Sequence, residues 1–498
     1  MIDAQEEMAA AQAQAKIAAS VFDAEPVVDD LELAHNPLND FGNAKRLVGR
    51  FGRGLAYINN VGWHFYDGVR WDGSEGKNAA THAAHDTLIA MKDECSALVK
   101  NNLDSGPLFK FSIRSGDHGR ISGMIKQAAS MLFRDTAEFD CDPWKFNCLN
   151  GTLDLDSLRN PQKPLMLPHR RSDLITKVAP VEYDPQAECP QWRAFLDSIL
   201  PNAAIANFLQ RWLGYCLTGR ITEQHLVIFH GRGANGKSTI FDVIGHVMGD
   251  YAMTIDFSSL LYDEYKRGGT ATPDLARLPG ARFVVTSEPE VGARFSESQI
   301  KIMTGGDRMT VRMLHQAPFE FTPSFKLNLA CNVKPDVRGQ DEGIWRRMLL
   351  VPFNVEIPPE RRDINLKFKL RQEASGILNW LLDGLRSYFE QGLQPPQEVI
   401  VAVQNYRSDN DRLGAFIETC VKKEPGARIN ARKLYTAYTL WCEDNAADAV
   451  SSNAFGRMLL ERGYEREKAG LVFYKNIGLD EDMLQRVEAA SGHAGAGG

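Results

Sequence analysis

Hydrophobic and polar positions in the middle of the chain predict short strands that are buried on both faces. Apolar runs lie within residues 226–229, 281–288, 326–332 and 348–353, and the second and third end in a carboxylate and an amide. Short apolar runs of this kind are typical of parallel strands covered by helices. The residues between the first two runs suffice for the helical crossover that a parallel pair needs. The pattern therefore predicts an α/β fold for residues 186–360.

Before this region, the pattern predicts an α+β domain over residues 37–185. Residues 57–71 alternate aromatic and polar positions around Asp67 and Gly68, which is a strong hairpin signal, and residues 78–134 are predicted to be mostly helical. The hairpin aromatics either pack in a small sheet or stack on bases, and we favour packing. Five basic residues of the helical part form either a solvated face or a nucleic-acid-contacting face, and the solvated face is slightly favoured: Lys110, Arg114, His118, Arg120 and Lys126.

The remaining segments are predicted separately. Residues 1–36 are acidic and rich in alanine and glutamine, which predicts a flexible arm. Residues 361–400 are predicted to form a helical connector. Residues 401–478 contain several short helical patterns that finish in a two-stranded wing at 463–474, which indicates a winged-helix module. Residues 479–498, ending AASGHAGAGG, are predicted to be a flexible tail.

Composition narrows the class of protein. The 498 residues carry a net charge of −7 with a pI near 5.9, which excludes a wholly basic surface, so nucleic-acid binding would be confined to a groove or channel. The eight cysteines include no C-x-x-C pair, which argues against zinc and against a disulfide framework and fits a reducing cytoplasm. No apolar stretch approaches the ~18 residues of a membrane span. The N-terminus has no basic segment followed by an apolar core, so we expect no signal peptide and a cytoplasmic protein without membrane contact.

The first strand leads into a phosphate-binding motif. Residues 231–238 match G-x-x-x-x-G-K-[ST] without a mismatch, and helical spacing of apolar residues follows. Glycines allow successive backbone N–H groups to surround a phosphate, and the following helix adds a partial positive charge. Lys237 can reach the β- and γ-phosphates, and Ser238 can ligate Mg²⁺. ATP and Mg²⁺ are therefore the predicted ligands, and the predicted contact residues are Gly231, Arg232, Gly233, Ala234, Asn235, Gly236, Lys237, Ser238 and Thr239.

The ends of the next two strands supply candidate catalytic groups. The carboxyl ends of parallel strands meet at one edge of a sheet, where open α/β folds bind ligands. Glu288 can orient or deprotonate the attacking water and can serve the metal with Ser238, and Glu290 is a weaker candidate. Asn332 can hold the water or the γ-phosphate. The structural alternatives are that Glu288 caps its strand and that Asn332 is a turn residue.

Two further features lie between and after these strands. Residues 308–321 alternate on both sides of residues 314–317, which predicts a β-hairpin with a partly basic tip. Arg346 and Arg347 stand where a subunit can offer an arginine to the nucleotide of its neighbour, a contribution worth ~10³–10⁵ in rate where it occurs. The structural alternative is that one of the two arginines is only an ion-pair partner.

These motifs, in this order, resemble the superfamily 3 helicases of the phage, plasmid and poxvirus primase–helicase type. The resemblance extends over roughly residues 40–475 and is most specific between 231 and 353. It is carried by GRGANGKST (231–239), ARFVVTSEPE (281–290), IKIMTGGDRMTVRML (300–314), KLNLACN (326–332), GIWRRMLLVPF (343–353), FNCLNGTLDL (146–155) and LYTAYTLWCEDN (434–445).

The resemblance implies an AAA+-like ATPase that forms a homo-oligomeric ring, expected to be a hexamer, and translocates along single-stranded DNA. It implies that the hairpin lines the channel, with His315 at the tip and Arg308 and Arg312 on the approaching strand. The expected function is that of a replicative 3′→5′ DNA helicase of a phage or mobile element, located in the cytoplasm of a bacterial host and working with a separate primase or replication protein.

The sequence departs from the family pattern in two places. Residues 1–185 contain no carboxylate pair within a predicted sheet, so we expect no primase domain there. Pro289 separates Glu288 from Glu290, which leaves the role of the second carboxylate open. Two other functions remain: a nucleotide-switched origin-binding protein or loader that uses Arg428, Arg432 and Lys433 on DNA, and a small-molecule kinase, for which no arginine-bearing lid follows the phosphate loop.

Overall fold

The computed structural model describes residues 28–493 apart from residues 263–270 and the single residues 287, 291, 316, 340 and 446. The chain divides into two compact units. The first consists of residues up to Pro335 together with Glu342–Ala402, and the second consists of Asp336–Asp341 together with residues from Val403 onward. No helix in the described ranges is long and apolar enough to cross a membrane.

The first unit begins with helices around a four-stranded sheet of order β3-β2-β1-β4. The predicted turn at Asp67 is present, because its carboxylate accepts the N–H groups of Val69 and Arg70 and so closes the β2–β3 connection. The elements are α1 (Asp30–Ala34), α2 (Asp40–Phe51), β1 (Leu55–Ile58), β2 (Gly62–Tyr66), β3 (Trp71–Asp72), α3 (Gly76–Lys100), α4 (Gly106–Ser115), α5 (His118–Met131) and β4 (Phe133–Arg134).

Helix α1 corrects the prediction of a flexible arm over residues 1–36. Asp29 caps the helix by accepting the N–H groups of Leu31 and Glu32, and Asp30 pairs with Arg50 at 2.6 Å. These local and long-range contacts order a segment that composition alone marks as solvated. Residues 1–27 lie outside the described part of the chain.

A buried ion pair joins α2 to α3. The Arg46 guanidinium lies 2.7 Å from the Glu94 carboxylate, and both side chains are fully buried. Arg46 also donates to the carbonyl oxygens of Pro37, Ala34 and Asn36, so its charge is matched and its N–H groups are satisfied. Removing one partner of such a pair typically costs about 3–5 kcal/mol.

The hairpin aromatics pack within this part of the fold, as favoured from the sequence. Tyr57 and Trp63 form an edge-to-face pair at 5.5 Å, and Trp71 packs edge-to-face on Phe139 at 6.0 Å. Four of the five predicted basic residues are exposed. The fifth, Arg120, lies over the Phe111 ring and 3.6 Å from a carboxylate oxygen of Asp40.

A small antiparallel sheet and two helices lead to the central sheet. The sheet has the order β5-β6-β7, formed by Lys145–Cys148, Gly151–Asp154 and Met166–Leu167. Helices α6 (Pro190–Ile199) and α7 (Ala203–Tyr215) bury Trp192, Phe208 and Trp212 in the main core. Their apolar faces cover the strands that follow.

The central sheet has five parallel strands in the order β14-β8-β13-β10-β9. The continuous apolar runs predict four of them, and the edge strand β9 was not predicted. Strand β8 lies between β13 and β14, so the phosphate-binding motif follows an inner strand. The elements of this region are β8 (Leu226–His230), α8 (Lys237–Met248), β9 (Ala252–Ile255), α9 (Pro273–Ala276), β10 (Phe283–Thr286), α10 (Glu297–Gly305), β11 (Met309–Val311), β12 (Phe319–Phe321), β13 (Lys326–Cys331), α11 (Glu342–Trp345), β14 (Met348–Pro352), α12 (Leu366–Arg371) and α13 (Ala374–Gln391).

The second unit contains helices and a three-stranded antiparallel sheet of order β15-β17-β16. The division between the units falls within α14 (Gln397–Asp409), beyond the predicted boundary at residue 400. The other elements are α15 (Arg412–Cys420), β15 (Val421–Asn430), α16 (Ala431–Asp444), α17 (Ser452–Glu461), β16 (Arg466–Ala469), β17 (Leu471–Leu479) and α18 (Glu481–His493). The predicted two-stranded segment is β16 and β17.

Helix α18 corrects the prediction of a flexible tail over residues 479–498 as far as residue 493, and residues 494–498 lie outside the described part of the chain. Met483 and Val487 are buried in the core of the second unit, at 4% and 1% exposure. Their burial supplies the free energy that orders the helix. Burial of this kind cannot be predicted from local helix propensity or from composition.

Candidate nucleotide-binding site

The phosphate-binding motif lies between the carboxyl end of β8 and the first turn of α8. The loop turns through left-handed backbone at Ala234 (φ +58°) and Gly236 (φ +83°). A Cβ at Gly236 would lie 2.8 Å from the Ile199 side chain, and one at Gly231 would lie 2.2 Å from the Phe353 carbonyl oxygen. These two glycines are therefore required by space and conformation, whereas a Cβ at Gly233 would meet nothing within 4 Å.

The side chain of Asn235 fixes the loop. It is buried, and its amide donates to the carbonyl oxygen of Arg232 at 2.5 Å and to that of Phe353 at 3.4 Å. Across the same contact, the N–H of Ile357 donates to the carbonyl oxygen of Ala234 at 2.8 Å. The segment that follows β14 thus holds the loop in shape, while Arg232 and Ser238 are exposed.

Lys237, Asn332 and Glu288 are brought together in one hydrogen-bonded chain. The Lys237 ammonium donates to the Gly231 carbonyl oxygen at 2.5 Å and to Oδ1 of Asn332 at 3.1 Å. The Asn332 amide in turn donates to Oε1 of Glu288 at 3.3 Å. Because β8, β13 and β10 are neighbouring parallel strands, the residues that follow them converge at one edge of the sheet.

The electrostatics of this cluster favour an added anion. Lys237 is 5% exposed, and burial lowers the pKa of its ammonium, an effect that the nearby Glu288 carboxylate partly offsets. Within the described residues, Lys237 forms no ion pair and contacts only neutral oxygen atoms. A phosphate beside this ammonium would supply the missing counter-charge.

A cavity of about 310 Å³ opens in front of the cluster. One wall is the loop and the first turn of α8, and Ala330, Asn332 and Glu288 form the floor. The other wall comes from residues 357–367, which precede and begin α12. The predicted residues Gly233, Ala234, Asn235, Gly236, Lys237, Ser238 and Thr239 all line this cavity.

The two predicted arginines lie at the amino ends of the strands, whereas the loop follows the carboxyl end of β8. They immediately precede β14, whose first residue is paired with Leu226 at the start of β8, so a strand of about 17 Å separates them from the loop of their own chain. Arg346 is exposed and donates to Gln224 at 3.2 Å. Arg347 is 9% exposed and donates to the Gly343 carbonyl oxygen at 2.5 Å, which is a structural contact within its own turn.

The predicted hairpin is present as β11 and β12, with Val311 paired to Phe319. His315 is exposed at the turn with left-handed backbone (φ +61°), and Leu314 beside it is also exposed. Arg308 is exposed and reaches Glu320 at only 4.0 Å. Arg312 is half-buried, and its backbone N–H is held by the Thr272 hydroxyl at 3.1 Å. Of the predicted tip, Gln316 lies outside the described residues.

Two of the three residues assigned to DNA under the origin-binding alternative have other partners. The Lys433 ammonium lies 3.0 Å from the Glu488 carboxylate, and the Arg428 guanidinium lies over the Phe473 ring at 5.1 Å. These contacts are within the second unit.

Comparison with known proteins gives three matching family models along the chain. Residues 44–201 match a model described as "D5 N terminal like", residues 229–347 match a family of unknown function, and residues 408–473 match "Poxvirus D5 protein-like". A "Putative helicase" of Acanthamoeba polyphaga mimivirus is 27% identical over 348 residues, which cover 65% of this chain and 36% of that protein. A "Putative primase" of African swine fever virus is 23% identical over 380 residues, which cover 71% of this chain and 38% of that protein.

The chain resembles the D5-like primase–helicase family over residues 44–201 and 408–473. It spans about a third of the length of the curated relatives it matches. A solved structure described as the apo C-terminal region of NrS-1 covers 60% of this chain and 78% of that chain, with 13% identity and a TM-score of 0.38.

The structure also places residues at the site that the sequence patterns did not single out. Arg361, Arg362 and Lys367 line the second wall of the cavity, and Ile364, at 95% exposure, lies at its mouth. Lys367 also lies 3.8 Å from Asp242, and Arg362 donates to the Ile357 carbonyl oxygen. The only sequence signal was the basic pair that follows Pro358-Pro359, at the start of the segment predicted as a connector.

Proposed function

We propose that this D5-like protein is an ATP-dependent replicative DNA helicase that hydrolyses ATP between the subunits of a ring and translocates on single-stranded DNA. The observation that supports the proposal most strongly is the chain of hydrogen bonds from Lys237 through Asn332 to Glu288, in front of the cavity. Phosphoryl transfer depends mainly on positioning and on charge stabilisation, and this arrangement provides both.

The loop and α8 bind the triphosphate. Residues 233–239 line the cavity, and the 12-residue helix α8 begins within this stretch at Lys237, so backbone N–H groups and the amino end of the helix can attract phosphate oxygens there. Lys237 places its buried ammonium against the β- and γ-phosphates and is released from its present acceptors as it does so. On the far wall, Arg361 adds a cation that has no ion pair within the described residues, and Ile364 offers an apolar surface to the base.

The carboxylate of Glu288 acts on water. It holds the attacking water by accepting one of its protons, while Asn332 fixes the orientation of Glu288 and can donate to a γ-phosphate oxygen. The water oxygen forms a bond to the γ-phosphorus, the bond to the bridging oxygen of ADP breaks, and the water proton passes to Glu288. Ser238 and Glu288 would hold Mg²⁺, which neutralises phosphate charge when bound.

The neighbouring subunit contributes Arg346. This arginine is exposed and far from the loop of its own chain, so it can serve a nucleotide only across a subunit interface. Arg347 is occupied by the Gly343 carbonyl and shapes the turn that presents its neighbour. An arginine supplied in this way makes turnover dependent on ring assembly.

Steady-state ATP hydrolysis, with and without single-stranded DNA, tests the proposal. Wild type should hydrolyse ATP faster in the presence of DNA, and Lys237→Ala should abolish turnover because it removes the γ-phosphate contact. Lys92→Ala, an exposed residue of α3, is the matched control and should behave as wild type. Equal turnover in wild type and Lys237→Ala would contradict the site. Tight ATP binding without turnover or strand separation would contradict the helicase assignment and favour a nucleotide-switched origin-binding protein or loader.

A further inference from the structure

A second and larger cavity lies in the helical and four-stranded part of the first unit. It has a volume of about 730 Å³ and opens between the end of α2, strands β1 and β4, and residues 170–174. It is separate from the nucleotide cavity, with which it shares no residue. We call it the arginine cleft, because four arginines line it: Arg53, Arg134, Arg170 and Arg171.

The arginine cleft concentrates positive charge on an acidic protein. All four guanidinium groups belong to exposed residues, and no aspartate or glutamate among the described residues lines the cavity. Arg134 is paired with Glu138 at 2.8 Å. Arg53, Arg170 and Arg171 form no ion pair with any residue that the structure describes. Cations that are left unpaired in a concave site, within a chain of net charge −7, focus a positive potential on a ligand there.

The walls of the cleft are aromatic and apolar. Trp71 and Phe139 are buried against each other in the wall, whereas Phe133 is 51% exposed on the edge strand β4. An exposed phenylalanine beside unpaired arginines is poorly suited to free inorganic anions. It matches a single-stranded nucleic acid, which presents both phosphates and unstacked bases.

The arginines are held on fixed backbone. The Trp71 indole N–H donates to the carbonyl oxygen of Arg171 at 3.0 Å, and the Trp71 backbone N–H donates to that of Ile175 at 2.8 Å. On the other side, Arg134 pairs with Ile58 of β1, and its carbonyl oxygen accepts the N–H of Asn59 at 3.0 Å. The cleft is therefore formed by the folded unit before any ligand binds, which reduces the entropy lost on binding.

We propose that the arginine cleft is a second nucleic-acid site, which binds the phosphate backbone of a single strand and places one base against Phe133. The site goes beyond the proposed helicase function. It shares the expected substrate class but requires neither ATP nor the β11–β12 hairpin.

The salt dependence of binding tests the cleft in the full-length protein. Affinity for a fluorescent oligothymidylate is measured by anisotropy without nucleotide, from low to moderate salt, for wild type and for the double variant Arg170→Gln and Arg171→Gln. Each phosphate contact with a single strand makes the slope of log affinity against log salt concentration more negative by about 0.7, so the slope of the double variant should be less negative by about 1.4. Lys92→Gln with Lys100→Gln, on exposed positions of α3, removes the same charge elsewhere and should leave the slope unchanged.

A fluorescence experiment with different ligands identifies what the cleft binds. Phe133→Trp should give a fluorescence signal that oligothymidylate quenches and that a mononucleotide or inorganic phosphate at equal phosphate concentration does not. Equal quenching by the mononucleotide would make the cleft a nucleotide site and overturn the strand assignment. An unchanged salt slope in the double variant would overturn the site.

Failure of the cleft is distinguishable from failure of the helicase proposal. Basal ATP hydrolysis in the absence of DNA should be the same in the double variant as in wild type, because the cleft contributes no residue to the nucleotide cavity. If wild type does not hydrolyse ATP, thermal unfolding replaces turnover as the check of folding, and the slope still decides the cleft.

Discussion

Lys326 is a buried basic residue at the start of β13, the strand that Asn332 directly follows. It is 3% exposed, and its ammonium donates to the carbonyl oxygens of Thr218 and Ser324. Burial lowers its pKa to about 7, while the unfolded chain has the ordinary value of 10.5. Between these values the unfolded chain binds more protons than the folded one, so stability must rise as pH increases.

The free energy of unfolding should therefore increase between pH 7 and pH 8.5, by roughly 1.5 kcal/mol from Lys326 alone. This pH range ends below the ordinary pKa of tyrosine and near that of cysteine. Burial raises the pKa of the Cys216 thiol and of the Tyr251 hydroxyl, so at higher pH these groups make the free energy of unfolding fall as pH increases. Denaturant unfolding of Lys326→Met at the two pH values measures the contribution as a difference from wild type. The same pH dependence in both proteins would show that Lys326 is not responsible.

The two carboxylates that follow β10 allow a matched test of the catalytic assignment. Both residues are exposed, but Glu288 lines the cavity and accepts a hydrogen bond from Asn332, whereas Glu290 does not line it. Glu288→Gln should reduce the turnover number by about 10²–10⁴ with ATP binding retained, because general base catalysis contributes that much. Glu290→Gln should leave turnover near that of wild type. A large loss in Glu290→Gln with none in Glu288→Gln would reverse the two roles.

At the level of elements, variants of the β11–β12 hairpin can separate the effect of the backbone conformation at residue 315 from the effect of its imidazole side chain. His315 is in the left-handed region, which costs most residues about 1–2 kcal/mol but is tolerated by asparagine. His315→Ala and His315→Asn should both keep basal ATP hydrolysis and lose strand separation if the imidazole contacts DNA. A fluorescence unwinding assay beside an ATPase assay measures both activities. Loss in the alanine variant alone would assign the effect to the conformation of the turn, and unwinding by both would remove His315 from the DNA contact.

Local patterns predicted the elements that depend on neighbouring residues in the chain. The apolar runs predicted the four strands that surround the site, and the glycine pattern predicted a loop whose Gly231 and Gly236 admit no Cβ. Arg361 could not be found in the same way, because its place at the cavity depends on the path of the chain after β14. Helix α18 was missed for a similar reason, since Met483 and Val487 are ordered by burial against distant elements.

The two adjacent arginines illustrate the same limit. Sequence alone gives Arg346 and Arg347 the same chemistry and nearly the same position. The structure separates them, because the turn before β14 buries one guanidinium against Gly343 and leaves the other exposed. Their different surroundings lead to an expectation at the scale of the whole molecule, because the proposed function has subunits share a site.

Mixing inactive subunits tests whether the nucleotide site is shared. Lys237→Ala lacks a working loop and Arg346→Ala lacks the donated arginine, so each protein alone should hydrolyse ATP poorly. In a mixed ring, an Arg346→Ala subunit with an intact loop can be completed by Arg346 of a Lys237→Ala neighbour. Random mixing in equal amounts should restore activity at about a quarter of the interfaces of a closed ring, as the pairing probability requires. ATP hydrolysis is measured across mixing ratios, with a maximum expected at equal amounts.

The control and the contrary outcome follow from the same geometry. Arg277→Ala changes an exposed arginine outside the sheet edge and should be active by itself, so its mixtures with Lys237→Ala should show no maximum. Arg347→Ala should lower the stability of the turn before β14 rather than complement Lys237→Ala, because its guanidinium is bonded within its own chain. An Arg346→Ala protein that retains full turnover, or mixtures that never exceed the sum of their parts, would show that each subunit completes its own site. The exposed position of Arg346, one strand length from its own loop, would then need a different partner.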